Sequence, residues 1–173
     1  DREKHPNKMF FSYANTVATI DFAKQFKGHG WVGIKYQIEP DEEYNEIILH
    51  IRFKETDVRL QQETLGILGV NLIYGAFYKY NDPKKLLRYL YDHLDKDQLE
   101  IDTINFSGPR FADVDNRLMS LQLVKNGMTD AVMFNPEGKN VLPAAILYKK
   151  NILAFRGSFR PVTKVNMDMY KES

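Results

Sequence analysis

The chain has 173 residues, 43% of them hydrophobic and 13% aromatic, enough to bury one core. Its 24 Lys and Arg against 23 Asp and Glu leave a formal net charge of +1, too small a field to draw nucleic acid or an anionic membrane. The absence of Cys excludes disulfides, thiol nucleophiles and Cys-ligated zinc, and no apolar run reaches the roughly 18 to 20 residues of a membrane-spanning helix.

In chain order, Met9 to Thr19 reads as a first strand, although Ala14 and Asn15 favour it only weakly. Val32, Ile34, Tyr36 and Ile38 alternate on a second, and Ile47, Leu49, Ile51 and Phe53 on a third, with polar EPDEEYNE between them. This is the pattern of an antiparallel hairpin. Lys35, His50 and Arg52 then share its more polar face, where like charge would disfavour a protonated His50 and a surface histidine is the simplest outcome.

From Asp57 to Tyr80 the spacing turns helical, and its centre is apolar nearly all round, as in a buried helix. Gly66, Gly69 and Gly75 each cost about 1 kcal/mol against Ala there, so close packing on another backbone is expected. Asp82 and Pro83 cap and open the next helix. The aromatics Tyr74, Phe77, Tyr78, Tyr80, Tyr89 and Tyr91 on these helices would form core first and an interface second.

The second half alternates. Leu99 to Phe106 reads as a strand, Asp115 to Asn126 as a helix closed by Gly127, Asp130 to Phe134 as a strand, Pro143 to Tyr148 as a short helix, and Ile152 to Phe155 as a strand. That order predicts a βαβ-type layer with parallel strands. The expected fold is therefore α/β, an antiparallel hairpin plus a buried helix over residues 1–80 followed by the parallel layer over 81–173, in one domain.

Ligands of parallel layers gather beyond the carboxyl ends of the strands. Three loops would meet there, Asn105 to Asp115, Asn135 to Gly138 and Arg156 to Thr163. Arg110 with Arg160 would hold an anion, while Asp113 and Asp115 are read first as helix-capping carboxylates and not as metal ligands. His29, in Gly28-His29-Gly30-Trp31, reads as an exposed imidazole in a turn, and His5 and His93 have no partner visible in the sequence.

Gly157-Ser158-Phe159-Arg160-Pro161-Val162-Thr163 follows an apolar run and precedes a helix start, so bare amide groups there would suit a phosphate. The run resembles the GxFxPx(H/T)xxH signature of the nucleotidyltransferase superfamily that includes nicotinic acid mononucleotide adenylyltransferases. Gly157, Phe159, Pro161 and Thr163 match, while Asn166 replaces the final His and cannot carry an imidazolium's charge. More widely, GHGWVGIKYQ, LQQETLGILGVNLIYGAF, GPRFADVDNRLMSLQLVKNGMTDAVMF and LYKKNILAFRGSFRPVT resemble an internal stretch of a longer, functionally uncharacterised bacterial family often labelled nicotinic acid mononucleotide adenylyltransferase or TonB-dependent receptor. The resemblance implies a fragment of a longer protein and, if chemistry occurs, adenylyl transfer with ATP and Mg²⁺.

The expected function is binding of a nucleotide or phosphorylated metabolite by Gly157, Ser158, Phe159, Arg160, Thr163 and Arg110, with no catalytic residue or metal ligand assigned. The alternative is a non-catalytic assembly domain whose partners are the missing domains of the same protein or further copies of the chain. No nucleic-acid or membrane partner is expected. The polar opening DREKHPNK does not read as a signal peptide, so the expected location is the cytoplasm.

Overall fold

The structure is a computed structural model and describes residues 3–18, 28–157 and 159–172. It divides into two compact units, residues 1–142 and 143–173.

The first unit is built on four strands in sequential order, β1 (Phe11–Ala18), β2 (His29–Tyr36), β3 (Asn45–Phe53) and β4 (Leu99–Ser107), every neighbouring pair antiparallel. Alternation dictates the two faces. Val32, Ile34 and Tyr36 of β2 and Ile47, Leu49, Ile51 and Phe53 of β3 turn to one side and are almost fully buried. Tyr13 and Val17 of β1 pack against the same core.

Three helices supply the other half of that core: α1 (Val58–Tyr78), α2 (Pro83–Tyr89) and α3 (Asn116–Lys125). Asp57 caps α1 by accepting from the N–H groups of Arg59 and Leu60 at 2.8 and 3.0 Å. Leu68, Leu72 and Ala76 of α1, Leu86 and Leu87 of α2, and Met119 and Leu123 of α3 are buried in one cluster with the strand residues. Gly69 lets α1 cross β1 closely, since a Cβ there would lie 2.8 Å from the Tyr13 hydroxyl, whereas Gly66 faces open space and does not need to be glycine for packing. Asn71 of α1 donates from Nδ2 to the carbonyls of Leu90 and Asp92 at 3.1 and 2.6 Å, tying α1 to the chain that leaves α2.

The expected parallel layer is not found among the described residues, whose strand pairs are all antiparallel. The strand Leu99 to Phe106 joins the antiparallel sheet beside β3, so the first unit is a two-layer arrangement of helices on one face of a meander. The apolar run before Asn135 forms a two-residue strand, β5 (Met133–Phe134), which turns at Asn135 to Gly138 and pairs antiparallel with β6 (Asn140–Val141). Asn135 drives the reversal, its side chain accepting from Lys139 N at 2.7 Å and its N–H donating to the Lys139 carbonyl at 3.0 Å. A hairpin return leaves no crossover, and without one no parallel pairing.

The second unit holds α4 (Pro143–Leu147) and α5 (Lys164–Lys171), and Ile152 to Phe155, expected as a strand, has no regular structure. Ile152 and Leu153 are exposed, and a strand without a hydrogen-bonded neighbour has nothing to hold it extended. None of the described residues of this unit is buried.

Candidate functional site

Helices α1, α2 and α3 cover one face of the sheet. Pairing across β1 to β4 sets the other face in rows: Ser12, Lys35, Glu46 and Ser107, then Ala14, Gly33, Ile48 and Asn105, then Thr16, Trp31, His50 and Thr103, then Ala18, His29, Arg52 and Glu100. The register slips once. His50 pairs with Thr103 and Ile51 with Ile101, so Asp102 is an extra residue in a β-bulge. Bulges re-aim side chains and recur beside active sites.

Here the bulge delivers a carboxylate to an imidazole. Asp102 Oδ1 lies 2.8 Å from His50 Nδ1, with His50 3% exposed and the Asp102 side chain 8% exposed. The other nitrogen, His50 Nε2, lies 3.3 Å from Nδ1 of His29, which is exposed. Trp31 meets the His50 ring edge to face at 4.9 Å and 65°. The Arg52 guanidinium stands 4.0 Å from Asp102 Oδ2.

This order assigns the protons. A carboxylate only accepts, so His50 Nδ1 donates to Asp102. Neutral His50 then offers a lone pair at Nε2, so His29 donates from Nδ1. His29 Nε2, at the exposed end, has no hydrogen-bond partner among the described residues. A carboxylate behind a buried imidazole, continued to the surface by a second imidazole, is an arrangement that general-base chemistry uses.

Period-two alternation alone places His50 on the polar face with Lys35 and Arg52, as a surface histidine. It is instead buried and matched to a carboxylate, because the bulge adds a residue that period-two alternation does not count. The missed residue is Asp102, and the signal for it was in the sequence. Apolar residues stand at 99 and 101 and again at 104 and 106, so the alternation changes phase at the adjacent polar pair Asp102-Thr103. His29, read as a turn residue, is the first residue of β2.

The residues expected to bind phosphate are distributed as follows. Arg110 belongs to the first unit, where its Nε donates to Glu42 Oε1 at 2.5 Å and its Nη2 to Glu39 Oε1 at 3.0 Å. Burial raises the Glu42 carboxyl, but Arg110 and the N–H groups of Ile38 and Glu39 outweigh it and hold the group below its ordinary value. Gly157, Phe159, Arg160 and Thr163 belong to the second unit, with the Phe159 ring against Gly157. Ser158 lies outside the described residues.

Thr163 is the N-cap of α5, and it is occupied. Its N–H donates to Asn166 Oδ1 at 2.8 Å, its hydroxyl to the same oxygen at 2.7 Å, and Asn166 N returns a bond to Thr163 Oγ1 at 3.3 Å. Asn166, where the adenylyltransferase signature has its final His, thus completes a capping box. Asp115 caps α3 and pairs with Arg117 at 2.7 Å, which holds its carboxyl down at about 2. That capping role is the one the sequence favoured.

Among the described residues, no group of three His, Asp or Glu could hold a metal ion, and no helix is long and apolar enough to cross a membrane. No protein-family model, curated protein or solved structure matches the chain.

Proposed function

We propose that the first unit is a small-molecule-binding domain whose site is the open face of its sheet, with His29 Nε2 as the proton acceptor and His50 and Asp102 as the groups behind it. The single observation that carries this reading is the bulge that places Asp102 Oδ1 2.8 Å from a His50 ring almost sealed from water. A buried carboxylate and imidazole are costly to assemble, and this pair is continued to the surface by a second imidazole. The reaction class it fits is proton abstraction or water activation on a ligand lying against β2 and β3.

Hydrolysis of p-nitrophenyl acetate, a substrate that reports an activated imidazole, tests the reading. Removal of the acceptor in His29→Gln is expected to lower the protein-promoted rate about tenfold or more, with Asp102→Ala intermediate. Equal rates in all three proteins would remove the acid–base role.

A nucleotide at Gly157 to Thr163, the reading carried by resemblance, would have to replace the bonds by which Asn166 already satisfies Thr163. That cost weighs against it, and the two sites are separable by experiment because they lie in different units.

A further inference from the structure

The open face of the sheet is not flat. Between the row of Trp31 and His50 and the row of Lys35 and Glu46 runs the row of Ala14, Gly33 and Ile48, whose small residues leave a hollow of about 340 Å³. Its floor is apolar, and the half-exposed indole of Trp31, 42% accessible, forms one wall. The volume is at the lower end of the range for small-ligand sites.

Gly33 has no structural need to be glycine. Its backbone is not in the left-handed region, and an added Cβ would sit at ordinary contact distance, 3.5 Å from the Ile47 carbonyl and 3.6 Å from Ile48. Three residues earlier on the same strand the contrast is plain, since a Cβ on Gly30 would collide with the Thr16 backbone. A strand interior is stabilised by a side chain that packs. Its omission at 33 preserves open space beside an aromatic wall.

The hollow continues past Lys35 and Glu46 into a second one of about 490 Å³ that adds Asp41, Glu42, Glu43, Tyr44 and Ser107. Glu43 and Glu46 line it beside Lys35, whose Nζ is drawn over the Tyr44 ring, 5.1 Å from its centroid. Glu42 is engaged by Arg110, whereas Glu46 has only a weak 3.4 Å bond from Ser107. Such a rim complements positive charge.

We infer that the site takes a small aromatic cation, with a flat ring lodged over Gly33 and Ile48 against Trp31 and an amine or amidine arm directed to Glu46. This names a ligand class for the sheet face proposed above and rests on that placement. It does not depend on the proton chain, since ring and arm contact neither His50 nor Asp102.

Trp31 is the chain's sole tryptophan, so its emission reports the site directly. Titration of the full chain with 2-phenylethylamine is expected to give a saturable change in Trp31 emission. Phenylacetate, with the same ring and the opposite charge, is expected to bind about fivefold more weakly or worse, as is 2-phenylethylamine to Glu46→Gln. Gly33→Val fills the hollow and should abolish the change in Trp31 emission, and Ala14→Leu, with thermal melting to verify folding, provides a second block from the neighbouring strand. The inference is overturned if neither probe binds, if phenylacetate binds as well as the amine, or if both filled variants bind unchanged. Loss of hydrolysis in His29→Gln with no binding of either probe would leave the acid–base reading standing and remove this one alone.

Discussion

Asp102 is the one residue of β4 without a partner on β3, and its carboxylate lies 2.8 Å from Nδ1 of His50, the ring it would miss in a regular ladder. The relationship has an energetic consequence. Asp102→Ala would leave a buried imidazole N–H without an acceptor, at a cost of about 1 to 3 kcal/mol in urea unfolding, and Asp102→Asn, which keeps an acceptor oxygen, should cost less. A change below about 0.5 kcal/mol for the alanine variant would mean that the bond is not made in solution.

Asn71 is a second buried polar group with a definite task, since its Nδ2 bridges the Leu90 and Asp92 carbonyls. Asn71→Ala is predicted to destabilise by about 1 to 3 kcal/mol, the loss of two hydrogen bonds with modest compensation from water at Asp92. Asn71→Asp, which turns the donor into an acceptor facing two carbonyls, should be worse. If Asp and Ala cost the same, the bridge is not the reason Asn71 is there.

Arg110 connects the 39–42 turn to the segment after β4 through Glu39 and Glu42. Because Glu42 titrates below its unfolded value, its contribution to stability is present above the ordinary carboxylate range and is lost as pH falls through the lowered value. Arg110→Gln should therefore flatten the acid limb of the stability curve while changing stability little near neutrality, and less still in high salt. An unchanged acid limb would contradict this pairing.

Burial pushes the phenols of Tyr36 and Tyr91 well above the ordinary range, and Glu42 and Tyr80 add to the effect at Tyr36. A raised folded-state value means that the stabilisation is complete below ordinary phenol ionisation and disappears as pH rises through the raised value. In an absorbance titration, Tyr36 and Tyr91 should ionise only with alkaline unfolding, and Tyr36→Phe and Tyr91→Phe should each remove amplitude from that late phase. Loss of amplitude from the early phase instead would place these rings in contact with solvent.

The sequence made local periodicity legible, and it left pairing partners open. The alternation at Val32 to Phe53 marks two strands whose partner is reached by a polar turn, and the structure pairs them in the expected phase. Asp57, Asp82 and Asp115 mark helix starts because capping is chemistry between near neighbours. Leu99 to Phe106 equally reads as a strand, but nothing in its own residues states whether β3 or a later strand lies beside it. The parallel layer failed at that point. The run through Phe134 was assigned a crossover, whereas Asn135 and Gly138 close a hairpin within five residues.

The site was legible only in pieces, for the same reason. His50 and Arg52 are legible as polar residues on a strand, whereas His29 reads as part of a turn, and the proximity of the three follows from the β2–β3 register. Asp102 is 52 positions from His50 and enters through a bulge, a long-range feature whose sole trace is a phase change in β4. Asn166, conversely, was read for the charge it lacks against a histidine signature, while its local role as partner of the Thr163 cap follows from the three-residue spacing of a capping box.

Long-range ¹H–¹⁵N NMR of the imidazoles tests the central claim most directly, because it reads which ring nitrogen carries each proton. The account predicts that neutral His50 and His29 both hold their proton on Nδ1, and that Asp102→Ala releases His50 to the Nε2–H form. A wild-type His50 protonated on Nε2, or a tautomer unmoved by Asp102→Ala, would contradict it.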